Sequence, residues 1–269
     1  MHAHVPRSEG SGNLGDDRLN ALLISDLHLD TNTPILTEIL VKFLRSQARS
    51  VPALFLLGDI FEAWVGDDDD SKLVDDIAAE LRAVADSGTA VYFMHGNRDF
   101  LLGQQYAERA GMALIDDPSV FRLGGIETLL THGDRYCSTE LEYQKFRRES
   151  RMPEWKAAIL ACPLDIRRAL AQKLRQESIT SQQAKLMAGE SLADVVDAEV
   201  IKDLNEFHVK RVIHGHTHRP REHEHVLADG SVAERIVLAD WRSSGEALEV
   251  RENGTYIRHQ LILNEDFKQ

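Results

Sequence analysis

The sequence predicts a layered α/β fold with a largely parallel portion, interrupted by a helical insertion. Three observations predict it. Between residues 20 and 131, short apolar runs alternate with stretches of helical periodicity. Each apolar run stops at a motif carrying Asp, Asn or His. After residue 230 the helical periodicity gives way to strand-like runs alone.

The elements follow in order. Residues 20–25 form a buried first strand that ends in Asp26-Leu27-His28. Residues 34–49 repeat apolar side chains at helical spacing, through Ile35, Ile39, Leu40, Phe43 and Leu44. A second strand, 53–57, ends in Gly58-Asp59, and a second helix, 72–85, carries Leu73, Ile77, Leu81 and Val84 on one face. The third strand, 90–94, ends in His95-Gly96-Asn97-Arg98-Asp99. A short helix over 104–110 follows, and a strand over 128–131 ends in His132-Gly133-Asp134. The runs 235–238, 247–251 and 255–263 read as an antiparallel meander closing a second sheet. His223 and His225 alternate on what reads as an exposed strand and receive no role.

About eighty residues separate His132 from the motif at 214–218, and they are mostly helical in pattern: 143–151, 154–162, 164–176 and 191–207. An insertion at this point, over the strand ends, is a natural substrate lid. From 141 to 175 it holds nine cations (Lys145, Arg147, Arg148, Arg151, Lys156, Arg167, Arg168, Lys173, Arg175) against four anions, in a chain whose net charge is −13. Apolar side chains lie between the charges, including Phe146, Met152, Trp155, Ile159, Leu160, Ile166, Leu170 and Leu174. A solvated helical pair with a core face accounts for this pattern; an anionic membrane surface or acidic ligand is the rival reading.

Bulk composition narrows the classes. A length of 269 residues with 43% hydrophobic content suits one α/β domain with an inserted subdomain. The charge of −13 argues against general nucleic-acid binding, which needs basic surface to neutralise phosphates. Two cysteines without paired spacing, Cys137 and Cys162, point to a reducing compartment. No run approaches the roughly 18 consecutive apolar residues of a membrane span. Residues 1–18 are polar and lack the apolar stretch of a signal peptide, so they read as a disordered leader in which His2 and His4 are incidental. The expectation is a cytoplasmic chain with no nucleic-acid partner and no protein partner implied.

The chemistry is concentrated in five motifs just past the apolar runs, a position that in open α/β sheets lets them converge. The densest is His214-Gly-His-Thr-His218, three imidazoles in five residues. Neutral imidazole is the commonest metal ligand, and alternate residues of an extended segment share a side. Together the motifs offer Asp26, His28, Asp59, Asn97, His132, His216 and His218. This mixed nitrogen and oxygen set suits Mn²⁺, Fe²⁺ or Zn²⁺, with no thiolate to favour a structural zinc site. Seven ligands exceed the needs of one ion; two ions sharing a carboxylate would use them all at a hydrolytic phosphoester site.

The order Asp-x-His, Gly-Asp, Gly-Asn-x-Asp, His-Gly, Gly-His-x-His resembles the calcineurin-like metallophosphoesterase superfamily. The stretches Glu62-Ala-Trp-Val-Gly-Asp-Asp68, His95-Gly-Asn-Arg-Asp-Phe-Leu-Leu-Gly103 and Ile213-His-Gly-His-Thr-His-Arg-Pro220 are similar to its UDP-2,3-diacylglucosamine diphosphatase family, from about residue 20 onward. The resemblance implies a layered α/β-β/α sandwich over residues 19–269 with a helical lid at about 140–207. It implies two Mn²⁺ ions, one on Asp26, His28, Asp59 and His218, the other on Asp59, Asn97, His132 and His216. It also implies attack of activated water on the α-phosphorus of a UDP-linked diacylglucosamine, giving UMP and the 1-phosphate lipid, at the cytoplasmic face of the inner membrane. Arg98 stands where the wider superfamily usually has histidine. An arginine fork can hold phosphate oxygens but cannot act as a general acid near neutral pH; its alternative is an ion pair with Asp99 or Asp134. Asn97, Arg98 and His216 would also touch substrate, as would Ser178 and Lys185 on the insertion. Glu140 and Gln182 replace the Asp and Asn common in that family, each one methylene longer.

The remaining motif residues read more blandly. His95 and His214 read as supporting or packing residues, Asp134 as a group that orients a ligand histidine, and the acidic run 67–70 as a solvated loop. Cys137 has no base beside it and is not read as a nucleophile. Rival readings are a phosphoesterase for soluble nucleotides, which would need no apolar lid, and a non-catalytic metal-binding or adaptor protein, which would be expected to lack a ligand.

Overall fold

The computed structural model describes residues 20–187 and 194–263, without the side chains of Ser181, Gln182, Lys185 and Leu186. The leader 1–18 lies outside them. Two sheets form the frame. The first has the order β11-β10-β1-β2-β3-β4, built from β1 (Ala21–Ile24), β2 (Ala53–Leu56), β3 (Ala90–Met94), β4 (Met112–Ile115), β10 (Gly245–Val250) and β11 (Tyr256–Leu261). The second has the order β5-β6-β7-β9-β8, built from β5 (Ser119–Leu123), β6 (Ile126–Thr131), β7 (Arg211–His214), β8 (Arg221–Val226) and β9 (Val232–Val237). Strands β1 to β4 run parallel, as do β6, β7 and β9.

Alternation along the strands makes the layers. Ala21 and Leu23 pack with Phe55, Leu130, Ile213 and Ile236 between the two sheets. Leu22 and Ile24 face the other way, onto helices α1 (Pro34–Arg45), α2 (Lys72–Asp86) and α3 (Gln104–Ala110). Behind the second sheet, Leu129 and Val212 meet Val200 and Leu204 of α7 (Asp197–Glu206). The order is helix, sheet, sheet, helix. In α1 the core face runs through Leu36, Ile39, Leu40, Phe43 and Leu44, with Ile35 exposed. In α2 Val74 is buried where Leu73 was expected to be. Gly111 ends α3 at φ 70°, a left-handed C-cap.

Four expectations need correction. First, the tail does not close one sheet. β9 joins the second sheet, while β10 pairs antiparallel with β1 and β11 with β10 in the first. The edge of β1 takes β10 because Ala247 can fill the helix side while Leu248 and Val250 fill the space between the sheets. Second, the last insertion helix starts at Asp197; Val196 is extended and donates its N–H to the Tyr136 carbonyl at 2.9 Å. Since α7 packs on the second sheet, α4 (Leu141–Ser150), α5 (Pro153–Leu160) and α6 (Leu164–Met187) make up the rest of the insertion. Phe146 and Trp155 dock it through Phe100, with ring centroids 5.9–6.3 Å apart.

Third, the acidic run is a fastening. Asp67 accepts the backbone N–H groups of Gly103 and Tyr106. Buried Arg167 at the start of α6 pairs with Asp68 and donates to the Val65 and Cys162 carbonyls, and Arg168 pairs with Asp69 and Asp70. Fourth, His225 is buried, and Arg235 Nε donates to its Nε2 at 3.2 Å.

Burial lowers the His225 pKa from its ordinary value; Asp197 opposes this and Arg235 adds to it. The folded state therefore prefers the neutral ring. Its contribution to stability is full above the unfolded pKa of about 6.5 and is lost as pH falls toward the folded value. Urea unfolding at about pH 7.5 and about pH 5.5 should show wild type losing more stability than His225→Gln across that interval. Equal losses would remove the ring from this account.

Candidate metal centre

The five motifs lie beyond the C-terminal ends of five parallel strands, three in the first sheet and two in the second. Asp26 and His28 follow β1, Asp59 follows β2, Asn97 follows β3, His132 follows β6, and His216 and His218 follow β7. Five of these seven residues take left-handed backbone angles: Asp26 (φ 55°), His28 (49°), Asp59 (55°), His216 (67°) and His218 (55°). That region is uncommon for residues other than glycine and costs energy. The turns are held because neighbouring loops knit together. Asp26 N donates to Gly58 O at 3.0 Å, His28 N to Asp59 O at 3.0 Å and Gly215 N to His132 O at 3.0 Å. Gly96 lies so close to the Asp59 carboxylate that a Cβ there would collide with it.

The side chains meet in two half-sites. In one, Asp26 Oδ1 lies 3.4 Å from His218 Nε2, and the Nε2 atoms of His28 and His218 face each other at 3.3 Å. In the other, the Asn97 carbonyl oxygen is 3.0 Å from His132 Nε2 and 2.8 Å from His216 Nδ1. Asp59 stands between them, Oδ2 at 3.9 Å from His28 and Oδ1 at 3.7 Å from His132. Asp26, Asp59 and His132 are buried.

The set fits divalent ions. Asp26 Oδ2 accepts from Ser25 Oγ and the His216 N–H, but buried Oδ1 has no hydrogen-bond partner. Two imidazole nitrogens at 3.3 Å must share a proton or a cation. Electrostatics agree. Burial opposes charge on His132, yet Asp59, Asp26 and Asp134 raise its pKa to about 9. Burial likewise opposes charge on His28, and Glu62, Asp59 and Asp26 raise its pKa. Burial would raise the Asp26 pKa, but the contact with His218 and the charge of His132 hold it well below the ordinary carboxylate range. Both imidazole shifts express a surplus of negative charge that a bound cation would answer. The ring orientations point the same way: His132 Nδ1 lies 2.9 Å from the Leu57 carbonyl, which leaves Nε2 to face the site.

The surroundings sort the other candidates. Neither ion pair offered as the alternative for Arg98 forms among the described residues. Asp99 accepts the N–H groups of Ile60 and Gly96, each at 2.8 Å. Asp134 takes the Tyr143 hydroxyl at 2.5 Å, Arg147 at 2.9 Å and Arg151 at 3.2 Å. Arg98 Nε is buried without a partner, while its backbone N–H holds Asp59 Oδ1 at 2.8 Å. His95 bonds the Leu102 carbonyl and His214 the Gly215 carbonyl. Burial lowers their pKa values to about 4 and about 3, and neither joins the cluster. Burial pushes the Cys137 thiol up to about 12. Ser178 is half-buried on α6 and Glu140 precedes α4; the side chains of Gln182 and Lys185 lie outside the described residues.

Sequence reasoning missed two carboxylates beside the ligand histidines. Glu62 Oε2 lies 3.0 Å from His28 Nδ1, though poorly aligned for a hydrogen bond, and Asp240 Oδ2 lies 3.4 Å from His218 Nδ1. Asp240 had a readable signal, since it too lies just past an apolar strand, β9, that runs parallel to β7. Tyr143 was also missed; its ring stacks on His216 with centroids 6.1 Å apart.

Comparison with known proteins gives a consistent picture. The calcineurin-like phosphoesterase family model matches residues 19–220. Among similar proteins, the UDP-2,3-diacylglucosamine hydrolase of Marinobacter nauticus is 46% identical, covering 91% of this chain and 99% of that protein. The proteins of the same name from Cellvibrio japonicus and Chromohalobacter salexigens are 45% and 48% identical, covering 90% and 87% of this chain and 99% and 93% of theirs.

A methyl group at position 96 would press on the Asp59 carboxylate and backbone, so Gly96→Ala should bind a divalent metal ion about 10–100-fold more weakly in equilibrium dialysis. Affinity equal to wild type would mean that the close approach is dispensable.

Proposed function

The chain belongs to the calcineurin-like phosphoesterase family, and from that premise we propose that it hydrolyses the diphosphate bond of UDP-2,3-diacylglucosamine. The products are UMP and 2,3-diacylglucosamine 1-phosphate, in lipid A biosynthesis. The observation that carries the reading is the seven-group donor set, with Asp59 between two half-sites. The substrate comes from relatives that carry it in their names at 45–48% identity.

Asp26, His28, Asp59 and His218 would hold one Mn²⁺, and Asp59, Asn97, His132 and His216 the other. When bound, such ions lower the pKa of water and offset charge on phosphoryl oxygens. Every other task falls to the chain's own residues. Arg98, whose buried Nε has no partner, would take phosphate oxygens during in-line attack on the α-phosphorus. It need not protonate the leaving group, because a phosphate monoester is already a stable anion. Asn97 and His216 also touch substrate. Ser178, Glu140, Gln182 and Lys185 are assigned to the nucleotide sugar, with Glu140 and Gln182 reaching one methylene further than the shorter side chains.

The insertion suits the lipid. Leu141, Met152, Leu160, Ile166, Leu174 and Met187 are exposed on α4 to α6. Sheltering acyl chains is worth about 0.8 kcal/mol per CH₂. Among the described residues no helix is long and apolar enough to cross a membrane, so contact with the inner membrane would be peripheral.

Turnover of the acylated UDP-sugar should exceed that of UDP-glucose and of an aryl phosphodiester, and equal rates would remove the lipid reading. On the acylated substrate, Arg98→Ala should lose about 10²–10³-fold in kcat while retaining its metal by dialysis; loss of metal would count against the phosphate role. Binding to vesicles containing anionic lipid should weaken as salt rises. Binding indifferent to salt and lipid charge would remove the electrostatic part.

A further inference from the structure

Glu62 belongs to two parts of the molecule at once. One carboxylate oxygen lies 3.0 Å from His28 Nδ1, and the other is paired with Arg175 Nε on α6. Backbone bonds hold the Glu62 main chain: Glu62 N donates to Leu29 O at 3.1 Å, and Leu29 N donates to Ile60 O at 2.9 Å. The loops after β1 and β2 are thereby tied together with Glu62 at the join. Among the described residues, helix α6 is fastened near its start by the pairs of Arg167 and Arg168 with the acidic run, and the pair of Arg175 with Glu62 is the next anchor along the helix.

We propose that Glu62 is a positioning residue that couples the His28 half-site to helix α6 through Arg175. A carboxylate against Nδ1 favours the proton there and leaves Nε2 as the metal-facing lone pair, the usual effect of an outer carboxylate on a ligand histidine. Arg175 holds the second oxygen and competes for the same negative charge. Displacing Arg175 returns that charge to His28 and alters its strength as a ligand. Such coupling is reciprocal: if the state of α6 changes metal affinity, metal binding changes α6 by the same free energy. The inference rests on the two-ion reading and goes beyond it by giving the insertion a line to the metal.

The test titrates the full-length, metal-free chain with Co²⁺, read by its visible absorption, for wild type, Glu62→Ala, Glu62→Gln, Arg175→Ala and the Glu62→Ala/Arg175→Ala double variant. Glu62→Ala should bind Co²⁺ at least about tenfold more weakly at an unchanged melting temperature, and Glu62→Gln, whose amide oxygen still faces His28, should recover most of that loss. Arg175→Ala should shift Co²⁺ affinity about fivefold, and the shift should vanish in the Glu62→Ala background. Hydrogen exchange along α6 should respond to Co²⁺ in wild type and not in Glu62→Gln. Wild-type affinity in Glu62→Ala, or an Arg175→Ala shift that persists without Glu62, would overturn the proposal. Should Glu62→Ala not fold, Co²⁺-responsive exchange in Glu62→Gln would still overturn it. A wild-type chain that binds no Co²⁺ would sink the two-ion reading itself.

Discussion

Two buried carboxylates, Asp26 and Asp59, set the terms for everything around them. Ionised carboxylates out of water need compensating positive charge, or they take up protons instead. Here four imidazoles surround them, and against the cost of burial Asp59, Asp26 and Asp134 raise the His132 pKa to about 9. Asp99, one step further out, shows the other outcome: burial and Asp59 raise its pKa to about 6. A divalent ion resolves the conflict more fully than protons do, because it answers both carboxylates and frees the imidazoles to be neutral donors. The strained left-handed turns are tolerable on the same terms, since the loops that carry them are bonded to one another.

The donor set was legible in the sequence because ligand chemistry is written at strand ends, and strand ends are readable from apolar runs. Asp26, His28, Asp59, Asn97, His132, His216 and His218 each follow such a run, and the parallel strands bring them together. Partners distant in the chain were not legible. Nothing local tells Asp68 that Arg167, 99 positions on, will pair with it, so the acidic run looked merely solvated. The run 247–251 was readable as a strand, but its choice of the β1 edge depends on which sheet leaves an edge open. His225 looked exposed because alternation marks a face without saying what covers it; the covering group is Arg235 on the neighbouring strand.

The insertion shares supports with the site. Asp134, two residues beyond His132, takes Tyr143, Arg147 and Arg151 of the α4 region, and Arg147 also reaches Asp117 at 2.9 Å. Arg151 further donates to the Gly96 carbonyl at 3.0 Å, beside the glycine that crowds Asp59. The loops that aim the candidate ligands thus also receive the helices above them. Burial disfavours the Asp134 carboxylate, but Arg147, His132 and Arg151 hold its pKa well below the ordinary range.

This sharing changes the meaning of the insertion's charge. Read alone, nine cations against four anions suggest a surface built for anionic lipid. In the fold, Arg147, Arg151, Arg167, Arg168 and Arg175 pair with Asp117, Asp134, Asp68, Asp69, Asp70 and Glu62, and Lys173 with Glu177. Lys145, Arg148 and Lys156 are the cations of that stretch left without a carboxylate partner among the described residues. The stretch is basic chiefly because the strand-end loops beneath it are acidic. Electrostatic attraction to a membrane would then rest on few charges, each worth about 1 kcal/mol near an anionic surface. The exposed Leu141, Met152, Leu160, Ile166, Leu174 and Met187 would supply the larger part. Most arginines of this helical layer are thus engaged by the loops beneath it, and the layer's positive charge is first of all what fastens it there.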